Sequence, residues 1–179
     1  MGKIRLERSG QMMDSKSKEK VLEEVSQKAK EAEINYHGCS RCTLYGLKEH
    51  FDFIPQDLIR ASMVLAGGCS SSNGSCGAYS GGLLAIGLKY QPPMEDLSPE
   101  AQERRLRSRE KQFAFRNTFI KEFGSTLCPD IQELKFGRRF NMLDKKDWEE
   151  FMNLPGHYEK CAEVVAKGTR LAAEVLLED

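Results

Sequence analysis

Residues 98–124 read SPEAQERRLRSREKQFAFRNTFIKEFG, and this one stretch holds the start, the inward face and the stop of a helix. Ser98 is a residue that caps helices, Pro99 suits the first helical position, and Glu100 complements the positive end of the helix dipole. Phe115, Phe119 and Phe123 recur every four residues, flanked by Phe113 and Ile120, so one side reads as a core stripe. Gly124 ends the run. Glu100–Lys111, with five basic and three acidic residues, has the charge spacing of a solvated face.

Outward from this helix the same punctuation repeats. Asp14 or Ser15 opens a first helix, with Val21, Leu22, Val25, Ala29 and Ala32 at three- and four-residue spacing. A second runs from about Ser40, with Leu44, Leu47 and Phe51 on one side, and a third spans Pro55 to Ala66 and stops at Gly67-Gly68. Residues 67–75, GGCSSSNGS, are too rich in Gly, Ser and Asn for regular structure. A Gly-rich helix follows from Cys76 to about Tyr90 and is ended by Pro92-Pro93. Cys128-Pro129-Asp130 opens a short helix to Gly137, Asp144 caps a turn through Trp148, and the last helix runs from after Pro155-Gly156 through Leu176. Alternating strand patterns are almost absent. The expectation is an all-α fold: a single-domain bundle of about six to seven helices around the Gly-rich one. Residues 15–179 form the domain, and residues 1–14 form a flexible N-terminal tail.

The 179 residues are 40% hydrophobic, enough for a core. Lys+Arg and Asp+Glu are 27 each, so the chain lacks the basic excess of a protein that binds nucleic acid or an anionic membrane in bulk. No run approaches the ~18 apolar residues of a membrane span. The first twenty residues have no apolar signal core, so the expected location is cytoplasmic. No G-x-S-x-G, P-loop, H-E-x-x-H or Ser/His/Asp arrangement is present. Hydrolase and transferase chemistry therefore has no motif here, and whether the chain is an enzyme stays open, with a part in an oxidoreductase as one option.

Six cysteines are too few for a disulfide-built domain and many for an ordinary intracellular one. Cys39 and Cys42 form the single C-x-x-C, a spacing that suits one metal or a small disulfide ring. Cys76 stands at a helix start, ahead of a face of small residues at Gly77, Gly81 and Ala85. An internal Gly costs about 1 kcal/mol of helix propensity, so that face implies close backbone packing or room for a bulky group. Cys128, before Pro129, lies where unpaired amides and the dipole favour a thiolate. Cys161 lies near the apolar stripe of the last helix, one turn after His157, and Cys69 sits in the Ser/Gly loop. His37 and His50 flank the C-x-x-C helix and read as surface or capping residues.

Cys42 followed by TLYGL, then Cys76-Gly77-Ala78-Tyr79-Ser80-Gly81, then Cys128, the stretch Phe136-Gly137-Arg138-Arg139-Phe140 and Cys161 resemble the family of redox-active proteins named for the pattern C_GCAxxG_C_C. The resemblance covers about residues 35 to 175. It implies a redox-active protein holding an iron–sulfur cluster, or another metal centre, on Cys42, Cys76, Cys128 and Cys161, with Cys39 and Cys69 as extra thiols. Gly77 and Gly81 would pack against that group. The implied mechanism is electron transfer to a redox partner protein, with no nucleic acid and no membrane involved. Two alternatives stay open: a metal-free thiol–disulfide protein using Cys39 and Cys42 or a longer-range pair, and a helical adaptor with a structural zinc site.

Overall fold

Asp14 caps the first helix, its Oδ1 accepting from the N–H groups of Lys16 and Ser17 at 2.9 and 3.0 Å. The computed structural model describes residues 14–178, so the expected tail, apart from Asp14, lies outside the described residues. Helix α1 (Ser15–Tyr36) is followed by α2 (Cys39–Lys48), α3 (Gln56–Ala61), a 3₁₀ turn (Ser62–Leu65) and a single turn α4 (Ala66–Cys69). Then come α5 (Gly77–Tyr90), α6 (Pro99–Phe123), α7 (Cys128–Phe136), α8 (Lys145–Met152) and α9 (His157–Leu176). Among the described residues extended pairing amounts to one isolated bridge, Ser75 with Leu127. The fold is all-α.

Two helices differ from the expected ones. The third, expected from Pro55 to Ala66, is broken into α3, the 3₁₀ turn and α4: the chain tightens at Ser62, whose hydroxyl donates to Ile59 O at 2.8 Å, and turns extended at Ala66 (ψ 155°) before Gly67 (φ 64°) and Gly68 (φ 80°) go left-handed. The turn expected from Asp144 to Trp148 extends to Met152, capped where the Asp144 carboxylate accepts from Asp147 N–H at 3.0 Å.

The core is a packed set of α1, α2, α5 and α9, with α6 closing one side. Val25 and Ala29 of α1, Leu44 and Leu47 of α2, Ala78 and Ile86 of α5, and Val165 and Ala172 of α9 are fully buried in it. On α6, Phe115 and Phe119 are fully buried and pack with Tyr79 of α5 at ring separations of 5.4 and 5.2 Å. A smaller cluster, Phe140, Met142 and Phe151 with Phe136, Met152, Leu154 and Cys161, fills the corner where α7, α8 and α9 meet. Between the two cores lies a cavity.

Candidate functional site

Two helix starts are joined by backbone pairing. Cys76 N–H donates to Thr126 O at 2.8 Å and Cys128 N–H donates to Gly74 O at 2.8 Å, either side of the Ser75–Leu127 bridge. Cys76 is the N-cap of α5 and Cys128 the first residue of α7, so this short bridge sets their thiols close together. Cys39 is the first residue of α2, placed there by Gly38 at φ 91°, a conformation that favours glycine. Cys161 enters from the second turn of α9. These four cysteines, from four helices, line one cavity of about 570 Å³. Three of them sit at helix N-termini, where unpaired N–H groups and the dipole favour negative charge.

Burial works the other way. It pushes the Cys76 thiol up to about 12, with the neighbouring Cys128 adding to the rise and the N–H groups of Ala78 and Tyr79 opposing it. Burial likewise pushes Cys128 up to about 12, with Cys39 adding to it. Cys39 is raised by burial and then by Cys76, against the N–H groups of Gly67 and Gly77, and Cys161 by burial and then by Cys39. The thiols thus sit within electrostatic reach of one another and stay neutral at neutral pH until a cation compensates their ionisation. All are free thiols.

The remaining cysteines fall elsewhere. Cys42, carried into the ligand set by the resemblance, does not line the cavity: it is buried against α1, its thiol donating to His37 O at 3.2 Å. Because α2 begins at Cys39, that residue faces the start of α5, while Cys42, three residues on, turns toward Glu33. Cys69 is exposed, at φ 64°, and does not line the cavity. Gly77 abuts the Cys39 sulfur. Gly81, expected to leave room for a bound group, packs against the backbone of α2 instead: an added Cβ would stand 2.6 Å from Ser40 O.

Three polar side chains at the cavity carried no clear sequence signal. Gln132 is 2% exposed; its Nε2 donates to the Cys128 sulfur at 3.8 Å, and its Oε1 accepts Phe140 N–H at 3.1 Å. Glu33 is 5% exposed, and burial pushes its carboxyl up against the opposing Cys42 thiol. Its Oε2 has no hydrogen-bond partner. Position 33 follows Ala29 by four residues, so a carboxylate on the apolar face of α1 was the available signal. His157 is 6% exposed, its Nδ1 also lacks a partner, and burial pushes it below its ordinary value. Among the described residues no three His, Cys, Asp or Glu side chains gather closely enough to hold a single metal ion.

The fold and the site define an all-α protein built around a cavity into which four helices each send one thiol. Residues 37–175, which include all six cysteines, match the family described as "Putative redox-active protein (C_GCAxxG_C_C)", and the chain belongs to that family. No curated protein and no solved structure matches it. No described helix is long and apolar enough to cross a membrane.

Proposed function

We propose that this chain holds an iron–sulfur cluster on the thiolates of Cys39, Cys76, Cys128 and Cys161 and works in one-electron transfer with a redox partner protein. The observation that carries the reading is the convergence of four thiols from four helices on one cavity. The four donors are spread around one cavity, and among the described residues no three gather about a single point as one zinc ion would require. Such a cluster, when bound, supplies one-electron oxidation and reduction. The helix N-termini carrying Cys39, Cys76 and Cys128 favour the thiolate form, and Gln132 Nε2 donates to the Cys128 sulfur. Neutral, buried thiols make poor attacking groups, which weighs against metal-free thiol–disulfide exchange.

The test is anaerobic reconstitution with iron and sulfide, followed by metal analysis and visible and electron paramagnetic resonance spectra. The expected result is a coloured, iron- and sulfide-bearing protein that Cys39→Ser loses and Cys42→Ser keeps. A colourless, iron-free wild type overturns the reading. A protein holding one zinc and no chromophore replaces it with the structural zinc site, and two thiols lost under mild oxidant replace it with disulfide chemistry.

A further inference from the structure

The charged run Glu100–Lys111 has the spacing of a solvated face, yet Leu106 stands inside it 63% exposed. Phe113 and Ile120, which flank the core stripe of α6, are exposed as well, at 48% and 40%. The three lie seven residues apart, so they align along one side of α6, away from the buried Phe115, Phe119 and Phe123. The loop before α6 adds exposed Met94 and Leu97 beside its first turns. It is tied there by Arg105 Nη2, which donates to Pro93 O at 3.2 Å, and by Gln102 Nε2, which donates to Leu97 O at 3.4 Å. Single exposed apolar residues are ordinary, but an aligned set of them marks a contact surface.

The charges beside this stripe are sorted by sign. Arg109 and Arg116 lie three residues after Leu106 and Phe113, on one flank of it; Glu103 and Glu110 lie three residues before them, on the other. Arg116 folds over the Phe113 ring, 4.5 Å from its centroid, and its Nη2 donates to Asn117 Oδ1 at 3.1 Å. Arg109, Glu103 and Glu110 have no ion-pair partner among the described residues.

We propose that a second copy of this chain covers this face: two α6 helices pair side by side in the same direction, with Leu106, Phe113 and Ile120 meeting their counterparts and Arg109 of each copy facing Glu110 of the other. The direction follows from the charges. About a two-fold axis along parallel helices, opposite flanks meet and arginine faces glutamate; in an antiparallel pair like flanks meet, and each charge faces its own sign. The apolar seam supplies the attraction, while exposed ion pairs add little affinity and instead set direction and register. The contact depends on α6 alone and stands apart from whatever the cavity binds.

The experiment is light scattering with size exclusion, and sedimentation equilibrium over a concentration series, on the full chain. Wild type is expected at twice the 20.3 kDa of one chain. Phe113→Glu, shown folded by circular dichroism, is expected to be a monomer. Arg109→Glu and Glu110→Arg each set like charges face to face twice per dimer, and each is expected to weaken association at least about tenfold. Mixed in equal amounts, these two variants are expected to recover it, since every facing pair is then of opposite sign. A monomeric wild type, a dimer that survives Phe113→Glu, or charge variants that stay apart when mixed overturns the assignment. Tighter association of Arg109→Glu alone marks an antiparallel contact and overturns it equally.

Discussion

A β-carbon on Gly77 would land on the sulfur of Cys39. The start of α5 is therefore shaped around the thiol that opens α2, and the glycine following Cys76 serves its neighbour's side chain. The next nearest atom is Ser40 N, 2.8 Å from the same point, so no turn of the Cys39 side chain relieves the crowding fully. Gly77→Ala is expected to destabilise the protein by about 1–3 kcal/mol and to reduce iron uptake on reconstitution. Adding Cys39→Ala should recover part of the stability and none of the iron. Thermal unfolding and iron analysis of the single and double variants check both statements.

Gln132 joins the second small core to the sulfur site, since one side chain serves both Phe140 N–H and the Cys128 thiol. Gln132→Leu keeps the volume and removes both contacts. Phe140 N–H loses its acceptor in a buried setting, for an expected loss of about 1–3 kcal/mol by denaturant unfolding. In reconstituted protein the loss of a donor to sulfur should lower the midpoint potential, read by redox titration against wild type.

The folded, unloaded protein holds its thiol protons more tightly than the unfolded chain does. Cys76 and Cys128 rise from 9.0 to about 12, so the stability they contribute is complete below pH 9 and is lost as the pH climbs toward 12. Glu33 follows the same sign lower down: its carboxyl is raised from 4.5, so its contribution is complete below pH 4.5 and lost above it. Denaturant unfolding of unloaded protein across the pH range should show the alkaline decline, and the stability of wild type relative to Glu33→Gln should fall as the pH rises above 4.5. Metal uptake runs in the opposite direction, because binding releases the thiol protons and so strengthens as the pH rises.

Much of the architecture was legible because helix boundaries are local chemistry. Ser98 Oγ accepts Ala101 N–H at 3.1 Å, and Gly124 ends α6 at φ 79°. Phe115, Phe119 and Phe123 are buried as their spacing implies. The site was less legible because tertiary packing decides it. Cys39 and Cys42 are three residues apart on one short helix, and only the wedging of α2 between α1 and α5 turns one sulfur to the cavity and the other to Glu33. Glu33 itself is one carboxylate in a helix full of exposed charges, and only its place on the apolar face, four residues after Ala29, marks it. The break in the third helix escaped because the periodic pattern runs on to Ala66, while the chain already tightens to a 3₁₀ turn at Ser62, ahead of the Gly67-Gly68 stop.

Gly81 provides the sharpest contrast between close packing and empty space. Its missing side chain lets α5 lie directly on α2, with the place of a β-carbon 2.6 Å from Ser40 O and 3.0 Å from Thr43 Cβ. Ser40 is anchored in turn, its hydroxyl donating to Ser62 O at 2.6 Å, so the backbone there has little freedom to retreat. Gly81→Leu must push α2 away and carry Cys39 with it; the expected result is a loss of about 3 kcal/mol or more and failure to take up iron. Cys69→Ser, on an exposed loop residue outside the cavity, should stay within about 0.5 kcal/mol of wild type and load normally. If Gly81→Leu instead unfolds at the wild-type temperature and loses only its iron, then space beside Gly81 belongs to the bound group and not to the α2–α5 contact.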